Sequence, residues 1–285
     1  MFKTKLIVGG NGFIASHLLE REDYLCTSRS NEEGAIFLDL CDPSNFDYSI
    51  ITEDTIVIML AAISSPDECA HNYEKAFEVN VSGTIDFIQN VLNRNGKVLF
   101  FSSDVVYGGG GSSKDENSSL NPIGPYAVMK TLVEKNFLDE SNFKVFRLSY
   151  VFSSNDKYFQ YLLNTYKDGG VAEVFDPFDR SVIHLDDVIE AVFQVCARWS
   201  ELDFNIVNLC GPSLVSRKRI AQLFMSVLGD KFSYSVVSPS DDFFVARPKV
   251  INTTSLNLKK VLCRKPHDIR NAVSIELTKL GEINE

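Results

Sequence analysis

Tyr126 and Lys130 stand four positions apart in Pro125-Tyr126-Ala127-Val128-Met129-Lys130. On a helix this spacing puts both side chains on one face. An ammonium beside a phenol favours the phenolate and lowers the tyrosine pKa. Free tyrosine titrates at about 10, so it needs such help to exchange a proton near neutral pH. Alone, the pair reads better as a ring packed on a lysine stem. Ser103 follows the apolar run Lys97-Val98-Leu99-Phe100-Phe101 and adds a hydroxyl able to hydrogen-bond a substrate oxygen, which makes a proton-transfer set. The neighbouring Asp104 reads as a substrate hydrogen-bond acceptor or as a structural carboxylate.

A second group of residues is suited to an anion. Val8-Gly9-Gly10-Asn11-Gly12-Phe13-Ile14-Ala15 ends the first apolar run and opens a helix. Gly9 permits a tight turn, and Gly12 lets the backbone approach a pyrophosphate that the helix N-terminus stabilises. Ala15 is small enough for close helix–strand packing. In such a unit the second strand ends beside the adenosine ribose, where an acid favours NAD and a base accommodates a 2′-phosphate. This chain has Thr27-Ser28-Arg29-Ser30 there, so Ser28 and Arg29 point to NADP(H), with NAD(H) as the alternative.

These residues need a scaffold of strands and helices in alternation. Apolar runs predict strands at 5–8, 24–27, 35–38, 55–60, 97–101 and 144–148. Near-continuous apolar strands are what a parallel sheet covered on both faces requires. Helices fit at 13–20, 67–92 and 125–138. The Gly- and Ser-rich stretch 107–124 reads as a mobile loop or a lid over a nearby site. Beyond residue 150 the alternation is irregular, with helices near 157–167, 186–199 and 216–228 and strands near 181–183, 205–209 and 233–237. The expected class is α/β, a Rossmann-type doubly wound parallel sheet with a smaller C-terminal substrate-binding lobe. Residues 1–150 form the nucleotide-binding domain in this reading. Residues 151–285 are mainly the substrate lobe, with some segments returning to the sheet.

Composition narrows the field. The 285 residues are 45% hydrophobic and 23% charged, which excludes disorder as the overall state. A net charge of −10 argues against binding nucleic acid or an anionic membrane surface, though a few placed arginines can still hold a small anion. No apolar run approaches the roughly 20 residues of a membrane span. Met1 to Gly12 reads as a strand rather than a signal peptide, so a cytoplasmic location is expected. The six cysteines lack CxxC spacing and read as free thiols, and the four scattered histidines suggest no metal site.

Over nearly its whole length the chain resembles the extended short-chain dehydrogenase/reductase family of sugar-nucleotide enzymes. Val8 to Leu18 is similar to the family's TGGxGFIGSHL, with Val8 and Ala15 as departures. Asp39-Leu40-Cys41-Asp42 resembles its DxxD segment. Leu60-Ala61-Ala62 resembles the HLAA strand end, with Met59 in place of histidine. Asn80-Val81-Ser82-Gly83-Thr84 is similar to NVxGT, Ser102 to Gly108 to SSxxVYG, and Pro125 to Lys130 to PYxxSK, with Met129 replacing serine. Ser181 to Val188 resembles FIHVDDV. Within the family, Ser103-Asp104, Arg147 to Phe152 and Arg247-Pro248 look like stretches of the dTDP-4-dehydrorhamnose reductase type, whereas His184 to Val188 is closer to the epimerases.

The resemblance implies roles. Gly9, Gly12, Phe13, Ile14, Ser28, Arg29, Asp39, Leu40, Ala61, Ala62 and Asn80 would bind the cofactor. Tyr126 would exchange the proton, Ser103 would hold the substrate oxygen, and Lys130 would bind the nicotinamide ribose and tune Tyr126. Ser64, Asp104 and Tyr150 would meet the sugar. For the diphosphate the candidates are Arg180, Arg217, Arg219 and Arg247, with Arg247 first and Arg180 second. Val105 stands where the related 4,6-dehydratases carry a catalytic glutamate, which argues against elimination. The implied activity is NADP-dependent reduction of a nucleotide-linked 4-keto-6-deoxy sugar, serving deoxysugar and polysaccharide biosynthesis, by a homodimer. A sugar-nucleotide 4-epimerase holding NAD is the alternative enzyme. A non-catalytic NADP-sensing binding protein is the alternative of another class.

Overall fold

The structure, a computed structural model, describes residues 2–30, 32–245 and 247–282. The first half runs β1 (Thr4–Val8), α1 (Phe13–Leu19), β2 (Leu25–Ser28), β3 (Ala35–Phe37), β4 (Thr55–Met59), α2 (Pro66–His71), α3 (Tyr73–Phe77), α4 (Thr84–Leu92), β5 (Lys97–Ser103), β6 (Gly110–Lys114), α5 (Pro125–Phe137) and β7 (Phe143–Leu148). The second half runs β8 (Val151–Phe152), α6 (Lys157–Lys167), β9 (Val171–Phe175), β10 (Asp179–Arg180), β11 (Ile183–His184), α7 (Leu185–Arg198), β12 (Ile206–Leu209), β13 (Val215–Ser216), α8 (Arg217–Leu228), β14 (Ser233–Val237), β15 (Val250–Thr253), α9 (Leu258–Leu262) and α10 (Ile269–Lys279).

The central sheet has seven parallel strands in the order β12-β7-β5-β4-β1-β2-β3. Burial explains the apolar runs: all five residues of β4 are buried, because helices cover both faces. On one face, Ile7, Ile58 and Leu99 pack with Leu18 of α1, Val188 and Val192 of α7, and Val261 of α9. On the other, Leu6, Val57 and Val98 pack with Phe87 and Val91 of α4 and Val133 and Phe137 of α5. The strand order reverses between β1 and β4, and the crevice beyond the carboxyl ends of such strands is where open α/β sheets take ligands. The expected doubly wound sheet is therefore present.

Beyond β7 a smaller lobe has its own core. Phe152, Phe159, Leu162, Val174, Phe224 and Val273 pack together there. Two departures from the expected elements shape the cleft. The single helix expected over 67–92 breaks at Asn72, whose backbone leaves the helical region (φ −116°, ψ 51°), and widens into a π-helix at Glu78–Gly83. Tertiary contact dictates this: Gly83 lies so close to Leu40 that a Cβ would fall 1.5 Å from the Leu40 carbonyl oxygen. The stretch read as a loop contains β6, which pairs in parallel with β15 in a sheet of order β13-β10-β15-β6. Glu116 anchors its end by accepting from the backbone N–H of Asn208 and of Leu256, each at 2.9 Å.

Candidate active site

Two adjoining regions carry the candidate residues. The first is a cleft of about 390 Å³ at the carboxyl ends of β1, β2 and β4. The turn after β1 is held by Gly10 N–H donating to the Thr27 carbonyl at 2.9 Å and Gly9 N–H donating to Thr27 Oγ1 at 3.2 Å. Gly9 has φ +93°, and a Cβ on it would sit 2.9 Å from Ala61 Cα, so only glycine fits. Of the residues expected at a cofactor, Gly9, Gly12, Ser28, Arg29, Asp39, Leu40, Ala61 and Ala62 line this cleft. Gly10, Asn11 and Ile63 line it as well, though the motif reading had not singled them out.

Phe13 and Ile14 are not among the lining residues. They open α1, where Phe13 is exposed and packs edge-on against His17. Asn80 also stands behind the wall. It is buried, donates to the Ile63 carbonyl at 2.9 Å and accepts from Ile63 N–H at 2.8 Å, which fixes the strand exit. Asp39 accepts from Cys41 N–H at 3.0 Å, and that bond, aided by Lys75 and Arg29, holds its carboxyl below the usual range. A glycine turn, a helix N-terminus and an exposed arginine together can hold a pyrophosphate and an extra phosphate.

The second region lies where β5 meets α5. Ser103 is the last residue of β5, and its Oγ accepts from Val105 N–H at 3.4 Å as the chain turns. Tyr126 follows Pro125, which starts α5 with the fixed φ that a first helical residue favours. Lys130 is buried, donates to the Phe101 carbonyl at 2.8 Å, and lies 5.8 Å from the Tyr126 ring centroid. Burial lowers its ammonium to about 8, against the opposing pull of Glu134.

The expected lowering of the Tyr126 pKa is not what this geometry produces. Burial pushes the phenol up, and the nearby Cys69 and Asp104 push the same way. The Lys130 ammonium gives one of its three N–H donors to the Phe101 carbonyl. Cys69, missed in the sequence, is fully buried and its thiol donates to the Ile63 carbonyl at 3.2 Å. No spacing rule could have found it, because Cys69 of α2 and Tyr126 of α5 are brought together only by tertiary packing. Asp104 is buried too, and its Oδ2 has no hydrogen-bond partner among the described residues. Burial raises its pKa, while Arg180 and the neighbouring Ser149 and Ser103 oppose the rise.

The smaller lobe supplies the remaining candidates. The Tyr150 hydroxyl donates to Asp156, and burial drives its pKa well up. Arg180 is buried, and its guanidinium donates to the carbonyls of Asp179, Pro248 and Lys249 at 2.7, 2.8 and 3.3 Å. Arg247 is paired with Asp67 of α2 and also donates to the Phe243 carbonyl. The two arginines expected to lead at a diphosphate therefore both have partners within the chain. Ser64 is exposed just beyond the cleft-lining Ile63. His184, Asp186 and Glu276 also converge, within 4.8 Å of one another. Lys279 already sits among these acids, 3.1 Å from Asp186 and 2.7 Å from Glu276. Among the described residues no helix is long and apolar enough to cross a membrane.

Comparison with known proteins agrees with this architecture. The human dTDP-D-glucose 4,6-dehydratase is 32% identical over 160 residues, covering 46% of this chain and 45% of that protein. The chain spans 44–64% of the length of the curated relatives it matches. A solved hypothetical dTDP-4-dehydrorhamnose reductase from Sulfolobus tokodaii superposes with a TM-score of 0.79 at 22% identity, covering 93% of this chain and 98% of that one. MoeE5 in complex with UDP-glucuronic acid and NAD superposes with a TM-score of 0.76 at 19% identity, covering 98% and 99%. The family model for the NAD dependent epimerase/dehydratase family matches residues 5–210. With that match across most of the sheet and the site at its carboxyl edge, the chain belongs to the NAD dependent epimerase/dehydratase family.

Proposed function

We propose that the protein reduces the 4-keto group of a dTDP-linked 4-keto-6-deoxy sugar with NADPH. One observation carries the reading: Ser103 on β5 and the Tyr126–Lys130 face of α5 adjoin a glycine-turn cleft that is lined by Arg29 and has no acid at the end of β2. In this reading Gly9 to Gly12 would hold the pyrophosphate, Ser28 and Arg29 a ribose 2′-phosphate, Asp39 the adenosine, and Leu40, Ala61 and Ala62 would line the same cleft. Bound there, NADPH supplies a hydride, which the sugar carbon accepts as the carbonyl becomes an alcohol.

The chain's own residues hold the substrate and manage the proton. Ser103 Oγ hydrogen-bonds the carbonyl oxygen and orients it. Tyr126 gives its phenolic proton to that oxygen as negative charge develops. Its raised pKa keeps it protonated, as a donor in the reducing direction must be. Lys130, buried on the same helix, would stabilise the phenolate left behind and hold the nicotinamide ribose. Asp104 and Ser64 face the sugar. The resemblance carries with it a cytoplasmic homodimer acting in deoxysugar synthesis. The test is NADPH oxidation at 340 nm with dTDP-4-keto-6-deoxyglucose. Turnover that falls by about 10²- to 10⁴-fold in Tyr126→Phe supports the reading. Absence of turnover with either cofactor overturns it, and tightly retained NAD in the purified protein would favour a 4-epimerase.

A further inference from the structure

Lys130 and Glu134 stand one helical turn apart on α5, and both side chains are buried. A lysine and a glutamate at this spacing lie on one helix face and attract one another, more strongly where water is absent. Here they do not pair. Among the described residues Lys130 forms no ion pair with a carboxylate; its ammonium donates to the Phe101 carbonyl at 2.8 Å and lies 4.6 Å from the Phe100 ring centroid. Glu134 instead meets Arg147 of β7, which donates to one carboxylate oxygen at 2.7 and 3.1 Å and to the other at 3.3 Å.

Arg147 is suited to win this competition. Its planar fork meets both oxygens of a carboxylate, which an ammonium cannot match, and it does not shed its proton. It is also fixed from behind: Nη1 donates to the Tyr107 hydroxyl at 2.7 Å, and that hydroxyl donates to Asn208 of β12 at 2.8 Å. The titratable groups that face Lys130 are Glu134 and Tyr126 of its own helix and Cys69 of α2. Glu134 is the carboxylate among them. Its field supports the ammonium against burial while its oxygens stay with Arg147. Without the guanidinium, the freed carboxylate has Lys130 one turn away on the same face.

We propose that Arg147 is a positioning residue for the reaction: by holding Glu134 it keeps the Lys130 ammonium unpaired and available to the nicotinamide ribose and Tyr126. This rests on the NADPH reading above and deepens it. The experiment is fluorescence titration of the whole chain with NADPH between about pH 6.5 and 9.5. Wild-type affinity should decline above about pH 8, where the Lys130 charge is lost. Arg147→Met is expected to weaken NADPH binding by about 10-fold near pH 7 and to move the decline up by about one pH unit, because a paired ammonium keeps its proton longer. The double variant Glu134→Leu, Arg147→Met lacks the competing carboxylate, so it should regain the affinity and decline no later than wild type. Arg147→Lys keeps a charge beside Glu134 but loses the fork; it should fall between wild type and Arg147→Met, and it carries the test if Arg147→Met does not fold. A merely structural role would lower affinity and leave the pH of the decline in place, and that result overturns the assignment. So does unchanged affinity in both single variants, a double variant no better than Arg147→Met, or a wild-type affinity flat across this range. In each of these cases NADPH binding by the wild type leaves the cofactor reading standing. A wild-type protein that does not bind NADPH fails that reading, and this assignment fails with it.

Discussion

Glu134 is expected to be the residue whose loss most weakens the helix that carries Tyr126 and Lys130. Its carboxylate is fully buried on α5 and meets Arg147 of β7, whose side chain is 3% exposed. Arg147 NH2 donates to Oε2 at 2.7 Å, and Nε donates to the two oxygens at 3.1 and 3.3 Å. Arg147 NH1 also donates to the Tyr107 hydroxyl at 2.7 Å, which in turn donates to Asn208 of β12 at 2.8 Å. The network thus joins α5 to β7 and β12 beneath the site. Glu134→Ala leaves a buried guanidinium that cannot shed its proton, at a cost of about 3–5 kcal/mol. For a chain of 285 residues that corresponds to a Tm lower by about 5–8 °C. Glu134→Gln keeps the shape and one acceptor, so it should lose about 1.5–3 kcal/mol. The double variant Glu134→Leu, Arg147→Met removes both charges and should recover most of the deficit, since an apolar replacement of a buried pair is often neutral. Calorimetric and urea unfolding measure all four proteins. A single-site Glu134→Ala loss under about 1 kcal/mol, or a double variant no more stable than Glu134→Ala, would refute the reasoning.

Three further outcomes follow from the site. Arg29→Ala should raise the KM for NADPH by about 10- to 100-fold while leaving that for NADH nearly unchanged; an unaltered NADPH/NADH ratio in steady-state assays would remove Arg29 from cofactor selection. Because Lys130 titrates at about 8, its charge is present below that pH and lost above it. Keto reduction should therefore hold level up to about pH 7 and decline above about pH 8, with the decline displaced upward in Lys130→Arg. Stability moves the opposite way: the lysine pKa falls from 10.5 unfolded to about 8 folded, so the unfolded chain binds more protons between these values. The burial penalty is fully present below pH 8, and stability rises from pH 8 to 10.5. Urea midpoints across that range, compared with Lys130→Met, measure it.

Much of this molecule is legible in its residues. Apolar runs that must be buried on both faces dictate a covered parallel sheet, and Gly9 marks a backbone position that no side chain can share with Ala61. Tyr126 and Lys130 share a helix face by spacing alone. These features are local, set by backbone sterics and period, and so they survive being read one segment at a time. Tertiary structure decided the rest. The helix over 67–92 breaks at Asn72, and it bulges where Gly83 packs on Leu40. The segment after Tyr107 becomes a strand because β15, far along the chain, offers it an edge. Arg247 is taken by Asp67 and Arg180 by backbone carbonyls, a distinction that four arginines in a sequence cannot express. Tyr126 rises in pKa because burial, Cys69 and Asp104 all disfavour the phenolate. Desolvation and the competition of partners for one guanidinium or ammonium depend on everything packed around the group, and only the folded chain specifies that.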